Sequence, residues 1–178
     1  MKSVFLILIA AWSWTIAFAQ YKPVDQGSAI QFTVQNFGFD VTGTFKGING
    51  TIYFDQQKPA DAQFNVDIDA GTVNTDNSLR DDHLRGESYF DVKNHPRIKL
   101  ESLKIQAGDK TGTYLFLGKL TIKNTTKNIF FPFTATAVAD GYQFNGTFRI
   151  KRKDFGVGGT STISDELQVS LNVIAKKS

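Results

Sequence analysis

From Gln20 to the C-terminus, apolar residues recur at every second position. Ile30, Phe32 and Val34 alternate with Gln31, Thr33 and Gln35, and Phe64, Val66, Ile68 and Ala70 with Asn65, Asp67 and Asp69. The same period carries Ile98 and Leu100 across Lys99, Phe144, Phe148 and Ile150 across polar neighbours, and Leu167, Val169, Leu171 and Val173 across Gln168, Ser170 and Asn172. Each run predicts an antiparallel strand with one apolar and one wet face. Turn chemistry separates the runs at Asn49-Gly50, Lys58-Pro59, Gly108-Asp109, Asn124-Thr125 and Asp140-Gly141. About eight strands without linker, repeat or low-complexity segment predict one all-β domain over residues 20–178, a single antiparallel β-barrel or a sandwich. An eight-stranded barrel has a bore that its own side chains, or one slender ligand, can fill.

One stretch departs from the period of two. Between Asp76 and Leu100, Ser78-x-x-Asp81 reads as a capping box, Asp81 and Asp82 place negative charge in a first turn, and Gly86 follows Arg85 as a left-handed stop. Asp81 and Arg85 are spaced for an i,i+4 pair. The result is a short helical insertion near residues 78–86, about two turns long and unstable alone in water. It must be held by packing, through Leu79, Leu84, Tyr89 and Phe90. Two further segments, Tyr114-Leu115-Phe116-Leu117 and Ile129-Phe130-Phe131-Pro132-Phe133, are apolar on both faces. Either both faces are covered, by the interior and by the helical plug or a terminus, or one forms an exposed apolar mouth. Pro132 removes a ladder donor and favours an edge or bulge.

The first 19 residues do not belong to this pattern. Lys2, the continuous apolar run Val4–Ala11 and the Ala17-Phe18-Ala19 pattern predict a signal peptide over 1–19, cleaved after Ala19, and so a periplasmic or secreted protein. No later run is long and apolar enough to span a membrane as a helix. The chain has no cysteine, which excludes a disulfide scaffold and thiol chemistry. Stability must then come from the core, and the about 159 residues from Gln20 on suffice for one. Formal charge is +3, of which Lys2 supplies one unit, and the remaining lysines and arginines are interspersed with acids. That is a solvated surface and predicts no nucleic-acid partner. Phenylalanine is the prominent residue, 16 against a single Met, and both Trp precede Gln20.

Catalytic and metal-binding patterns are sparse. The two histidines, His83 and His95, have no spacing to acids that makes a compact metal site. His83 reads as a partly buried structural residue, and no role attaches to His95. Ser78, Ser88 and Ser102 lie in no nucleophile elbow. The expectation is therefore no catalytic residue, no metal and no resident cofactor. The glycine-rich stretch Phe155–Ser161 is a turn or bulge in the first instance. As a phosphate cradle it would need its backbone amides and a basic residue among Arg149, Lys151, Arg152 and Lys153.

Several of these residues also carry a resemblance. Leu79-Arg80-Asp81-Asp82-His83-Leu84-Arg85, Tyr89-Phe90-Asp91 and Pro96-Arg97-Ile98, with Thr75 before them, are similar to the signature of the YceI-like family. Gly43-Thr44-Phe45, Gly50 to Asp55, Gly118 to Lys123 and Arg152 to Val157 extend the likeness over nearly the whole chain. Where that family often has histidines near the first strand, this chain has Gly27-Ser28 and Gln35-Asn36, so no role of those histidines carries over. The resemblance implies a lipocalin-like barrel that binds a long-chain polyisoprenoid lipid, of prenyl-diphosphate or isoprenoid-quinone type, in its interior. Burying ten CH₂ groups contributes roughly 8 kcal/mol, which falls inside the ~4–15 kcal/mol that association costs, so a tail of several isoprene units is required.

Alternation makes Phe32, Phe45, Phe54, Phe64, Phe116, Phe144 and Phe148 the expected lining. The competing expectation is an exported structural or interaction protein with a filled core, acting through its surface. An enzyme working on bound lipid through His83, Asp81 or Asp82 ranks behind both. Transient contact with a membrane surface and a homodimer are compatible with the sequence.

Overall fold

A computed structural model describes residues 19–178; apart from Ala19, the expected signal peptide lies outside the described residues. Eight strands follow in chain order: β1 (Gln20–Asn36), β2 (Phe39–Tyr53), β3 (Gln63–Asn74), β4 (Arg97–Ala107), β5 (Thr113–Ile122), β6 (Thr125–Val138), β7 (Gly141–Lys151) and β8 (Ile163–Lys177). Each is antiparallel to its sequence neighbours, and β8 pairs back onto β1, so the sheet closes into a barrel and not a sandwich. The one α-helix among the described residues, α1 (Ser78–Arg85), interrupts the connection from β3 to β4.

Closing a sheet of long strands around a small bore requires local bends. β1 and β2 run 17 and 15 residues. Register shifts between Tyr21 and Ile30 on the β2 side and between Val24 and Ala29 on the β8 side. The intervening Asp25–Ser28 is a bulge with Gly27 at φ 80°. Its side chains satisfy the backbone groups that the bulge releases. The Asp25 carboxylate accepts from the amides of Gly47 and Ile48 at 2.9 and 3.0 Å, and Ser28 Oγ accepts from the Ile174 amide at 2.8 Å.

Asn49-Gly50, expected as a turn, lies instead within β2, where Asn49 faces Asp67 and Gly50 faces Val66. Gly50 has φ 123°, and a Cβ there would stand 2.2 Å from the Asn65 carbonyl oxygen. This glycine permits a close strand approach and not a chain reversal. The reversal between β1 and β2 is Phe37-Gly38, because Asn36 pairs with Phe39. Two other turns sit one residue earlier than expected, at Lys123-Asn124 and Ala139-Asp140, since Ile122 pairs with Thr125 and Val138 with Gly141.

Up-and-down topology places the chain ends and the β2–β3, β4–β5 and β6–β7 connections at one end, the base. The base is filled by rings. Phe54 sits among Tyr114, Tyr142 and Phe144 with centroids 5.1–5.2 Å away and planes nearly perpendicular, the favoured edge-to-face arrangement. Further in, Phe131 stacks between Phe116 and Phe148 at 4.8 and 4.6 Å. Inward glycines make room for such rings: a Cβ on Gly43 would lie 2.3 Å from the ring of Phe32 across the β1–β2 ladder.

The segments that are apolar on both faces resolve differently from either expectation. Phe116, Phe131 and Phe133 point inward, whereas Leu117 and Phe130 pair on the outer wall beside Leu103, and Phe130 is 61% exposed. Neither plug nor terminus covers them, and they sit at mid-strand and not at a mouth. Pro132 does end a ladder, because β6 pairs with β7 only from Phe133 on.

Burial pushes the phenols of Tyr114 and Tyr142 up from their ordinary value; Asp55 adds to the first, and Tyr21 and Asp55 to the second. The folded barrel thus holds these two protons more tightly than the unfolded chain does. The stability they contribute is complete below the unfolded phenol pKa of about 10 and is lost as pH rises through the higher folded values. We predict that Tyr114→Phe with Tyr142→Phe moves the alkaline unfolding midpoint, followed by far-UV circular dichroism, to higher pH. Coincident midpoints for parent and variant would show that these phenols do not set alkaline stability.

A candidate ligand cavity at the helical end of the barrel

Beyond the aromatic base the bore is hollow. A cavity of ≈ 510 Å³ occupies the helical half of the barrel, within the ~300–1,000 Å³ of small-molecule sites. Aliphatic residues such as Ile30, Val34, Leu120, Ile150, Val169 and Leu171 form much of its wall. Barrel radius is set by strand number and tilt. Rings fill that radius at the base; shorter aliphatic side chains leave it open above.

Six of the seven phenylalanines expected as lining face this space: Phe32, Phe45, Phe64, Phe116, Phe144 and Phe148. Phe54 does not. It follows the end of β2, is buried in the ring cluster of the base, and closes the barrel instead of lining the cavity. The β8 contribution, Leu167, Val169, Leu171 and Val173, was visible as alternation, but aliphatic residues gave no reason to separate wall from solid core. Of the polar residues on the cavity lining, Arg80 and His83 stood in the family-like stretch of the helical insertion, whereas Asn77 beside it and Asn36 at the end of β1 had no sequence signal as site residues.

The rim is built by α1, and its capping differs from the expected box. Asn77 is the N-cap, its Oδ1 accepting from the Arg80 amide at 3.0 Å, and Ser78 is the first helical residue. Asp81 is released from capping and turns inward, where it is 6% exposed. It accepts from the Thr75 amide at 2.9 Å and from Thr75 Oγ1 at 2.5 Å. Arg80 holds the same threonine from outside, Nε donating to Oγ1 and Nη2 to the carbonyl oxygen, both at 2.7 Å.

The expected Asp81–Arg85 pair therefore does not form. Arg85 instead meets Asp82 at 2.9 Å and donates to the carbonyls of Gly71 and Val73 at 2.9 and 3.0 Å, strapping the helix to β3. Gly86 is extended, with φ −68° and ψ 166°, and makes no left-handed stop. Leu84, Tyr89 and Phe90 pack on the barrel core, but Leu79 stays 69% exposed. His83 is exposed on the rim and not a buried structural group. His95 Nε2 lies 3.7 Å from Asp91 Oδ2. Among the described residues, no three His, Asp or Glu side chains converge on a metal position.

The glycine-rich stretch forms the opposite side of the rim. Residues Arg152–Phe155 make a 3-10 turn closed by Gly156 at φ 64°. The Val157 amide is taken by the Arg152 carbonyl at 3.1 Å and the Gly158 amide by the Ser88 carbonyl at 2.7 Å. Arg152 is buried, and its guanidinium donates to the carbonyls of Ser164, Val157, Gly159 and Ile163 and to Ser161 Oγ at 2.9–3.3 Å. Those bonds use all five of its N–H groups. These amides and this cation brace the loop, which leaves little of a phosphate cradle.

The chain matches the YceI-like domain over residues 21–175. It belongs to the YceI-like family. Among relatives of this YceI-like chain, the "UPF0312 protein" of Serratia proteamaculans is 30% identical over 173 residues, covering 89% of this chain and 88% of the relative. The crystal structure of Burkholderia cenocepacia BcnA superposes with a TM-score of 0.78 at 25% identity, over 83% of this chain and 96% of that one. A polyisoprenoid binding domain from Saccharophagus degradans, implicated in plant cell wall breakdown, gives 0.71 at 14% identity over 91% and 100% of the two chains. That last likeness is one of fold.

The Thr75–Asp81 contact dictates a difference between adjacent acids. Asp81→Ala leaves buried donors unpaired and should destabilise the barrel by about 1–3 kcal/mol. Asp82→Ala, at an exposed pair, should cost less than about 1 kcal/mol. Urea unfolding of both variants checks this, and equal losses would remove the special role given to Asp81.

Proposed function

We propose that this protein is an exported lipid-binding barrel that carries or sequesters a long-chain polyisoprenoid. The tail occupies the apolar cavity and the head group stays at the rim. The observation that carries this reading is the ≈ 510 Å³ apolar hollow above a base closed by the Phe54, Tyr114 and Tyr142 rings. A filled core, the basis of the competing expectation, does not describe this interior. In support of the ligand class stand the family and the description of the Saccharophagus degradans neighbour as polyisoprenoid binding. In support of export stand the apolar run and the Ala17-Phe18-Ala19 pattern.

The rim suits a polar head group of prenyl-diphosphate or quinone type. Arg80 Nε and Nη2 are held by Thr75, while Nη1 makes no hydrogen bond among the described residues. Arg80 lines the cavity together with Asn77 and His83, which puts a cation where a head group would sit. The role is binding, not catalysis. A second reading, action through the outer wall, has one observation in its favour: the exposed patch of Leu103, Leu117 and Phe130, which would suit a protein partner or a homodimer.

The test is native mass spectrometry of protein purified from cells without added lipid. A bound mass in the isoprenoid range is expected, and Val169→Trp, which fills the hollow from the β8 wall, should remove it while the fold persists. Protein that is always empty, even after exposure to a membrane lipid extract, would refute the lipid reading.

A further inference from the structure

The tip of the β1–β2 hairpin is made of residues that neither folding nor solubility explains. Asn36 pairs with Phe39, so the loop is the two residues Phe37 and Gly38, with φ 51° and 81°. Both values are positive, as in a type I′ turn, whose first position is ordinarily taken by Asn, Asp or Gly. A bulky aromatic in this conformation is an outlier, and such strained positions cluster at functional sites. The same side chain is also in water: Phe37 is 74% and Phe39 76% exposed.

Topology puts this hairpin at the helical end, and Thr162 Oγ1, bonded to Asn36 Oδ1 at 2.7 Å, ties it to the glycine-rich loop. The residues behind the tip, Asn36 and Val41, belong to the cavity wall. On α1, Leu79 is 69% exposed and lines the cavity as well. Leu79 thus reaches from solvent into the cavity, and Phe37 and Phe39 stand in solvent just beyond its wall at the same end.

We propose that Phe37, Phe39 and Leu79 dock the helical end of the barrel on a phospholipid bilayer, with the cavity opening into it. This rests on the lipid reading above, which supplies the occupant: a cargo that resides in a bilayer must cross to the cavity, and a path flanked by these side chains keeps its tail out of water. Charges next to these residues in the chain are mixed: Asp40 follows Phe39, and Asp76, Arg80, Asp81 and Asp82 flank Leu79. The contact is therefore apolar, and does not require anionic lipid or low salt.

The test is flotation with phosphatidylcholine vesicles, with and without phosphatidylglycerol, comparing the parent with Phe37→Asn/Phe39→Thr on the same N-terminus. Asparagine followed by glycine is a preferred type I′ pair, so the variant should unfold at equal or higher urea concentration, which separates docking from folding. The expected result is a loss of vesicle association of at least about tenfold, insensitive to phosphatidylglycerol, with transfer of cavity lipid to acceptor vesicles slowed in parallel. Equal flotation of parent and variant, or none by the parent, overturns the proposal. So does concentration-dependent dimerisation of the parent, abolished in the variant, without vesicle binding; that would assign the tip to a second copy. Lipid found in the cavity by mass spectrometry alongside any of these results leaves the carrier reading standing, whereas an always-empty cavity removes that reading first.

Discussion

β1 hydrogen-bonds to β8, and the ring this closes sets the terms for every other feature. Without that pairing, two long strands would present open edges, and no wall would surround the interior. Closure is possible because β1 bends at Asp25–Ser28, where an aspartate and a serine take up the amides that the bend exposes. Backbone hydrogen bonding thus fixes the radius of the bore before any side chain is chosen. The side chains then decide only whether that radius is filled.

They decide it differently at the two ends. At the base, edge-to-face rings around Phe54 fill the bore, and phenols with raised pKa values lie among them. Toward the helical end the inward positions are mostly valine, leucine and isoleucine, which reach less far across. The hollow goes with the shorter side chains that line this part of the wall. The short helix belongs to the same end because the β3–β4 connection must cross the opening. Its two turns are held there by Asp81 on Thr75 and by Arg85 on β3, more than by its sparse apolar face.

This asymmetry gives the molecule a direction. A closed aromatic base and an open rim with one uncommitted guanidinium nitrogen suit a ligand with a long apolar tail and a polar head. The glycine-rich loop at this end is braced by its buried Arg152. The three exposed apolar residues, Phe37, Phe39 and Leu79, stand at that same end.

Alternation in the sequence determined the inward faces of β1, β3, β4, β7 and β8, because the period of two is a local property of the pleat; β5 and β6 are apolar on both faces, and only their pairing set which row points inward. Of the seven rings that alternation named, six meet the cavity, and Tyr89, Phe90, Phe131 and Phe133 meet it as well. Local sequence determined the helix as well, but not its details: Ser78 and Asn77 are both good caps, and only contact with Thr75 sent Asp81 inward and left Asn77 to cap. Phe54 shows the same limit, since its place in the base depends on rings from β3, β5 and β7 that lie far away in the chain. Whether inward side chains touch across the bore or leave a hollow is a question of radius against reach, and the radius exists only once β8 has closed onto β1.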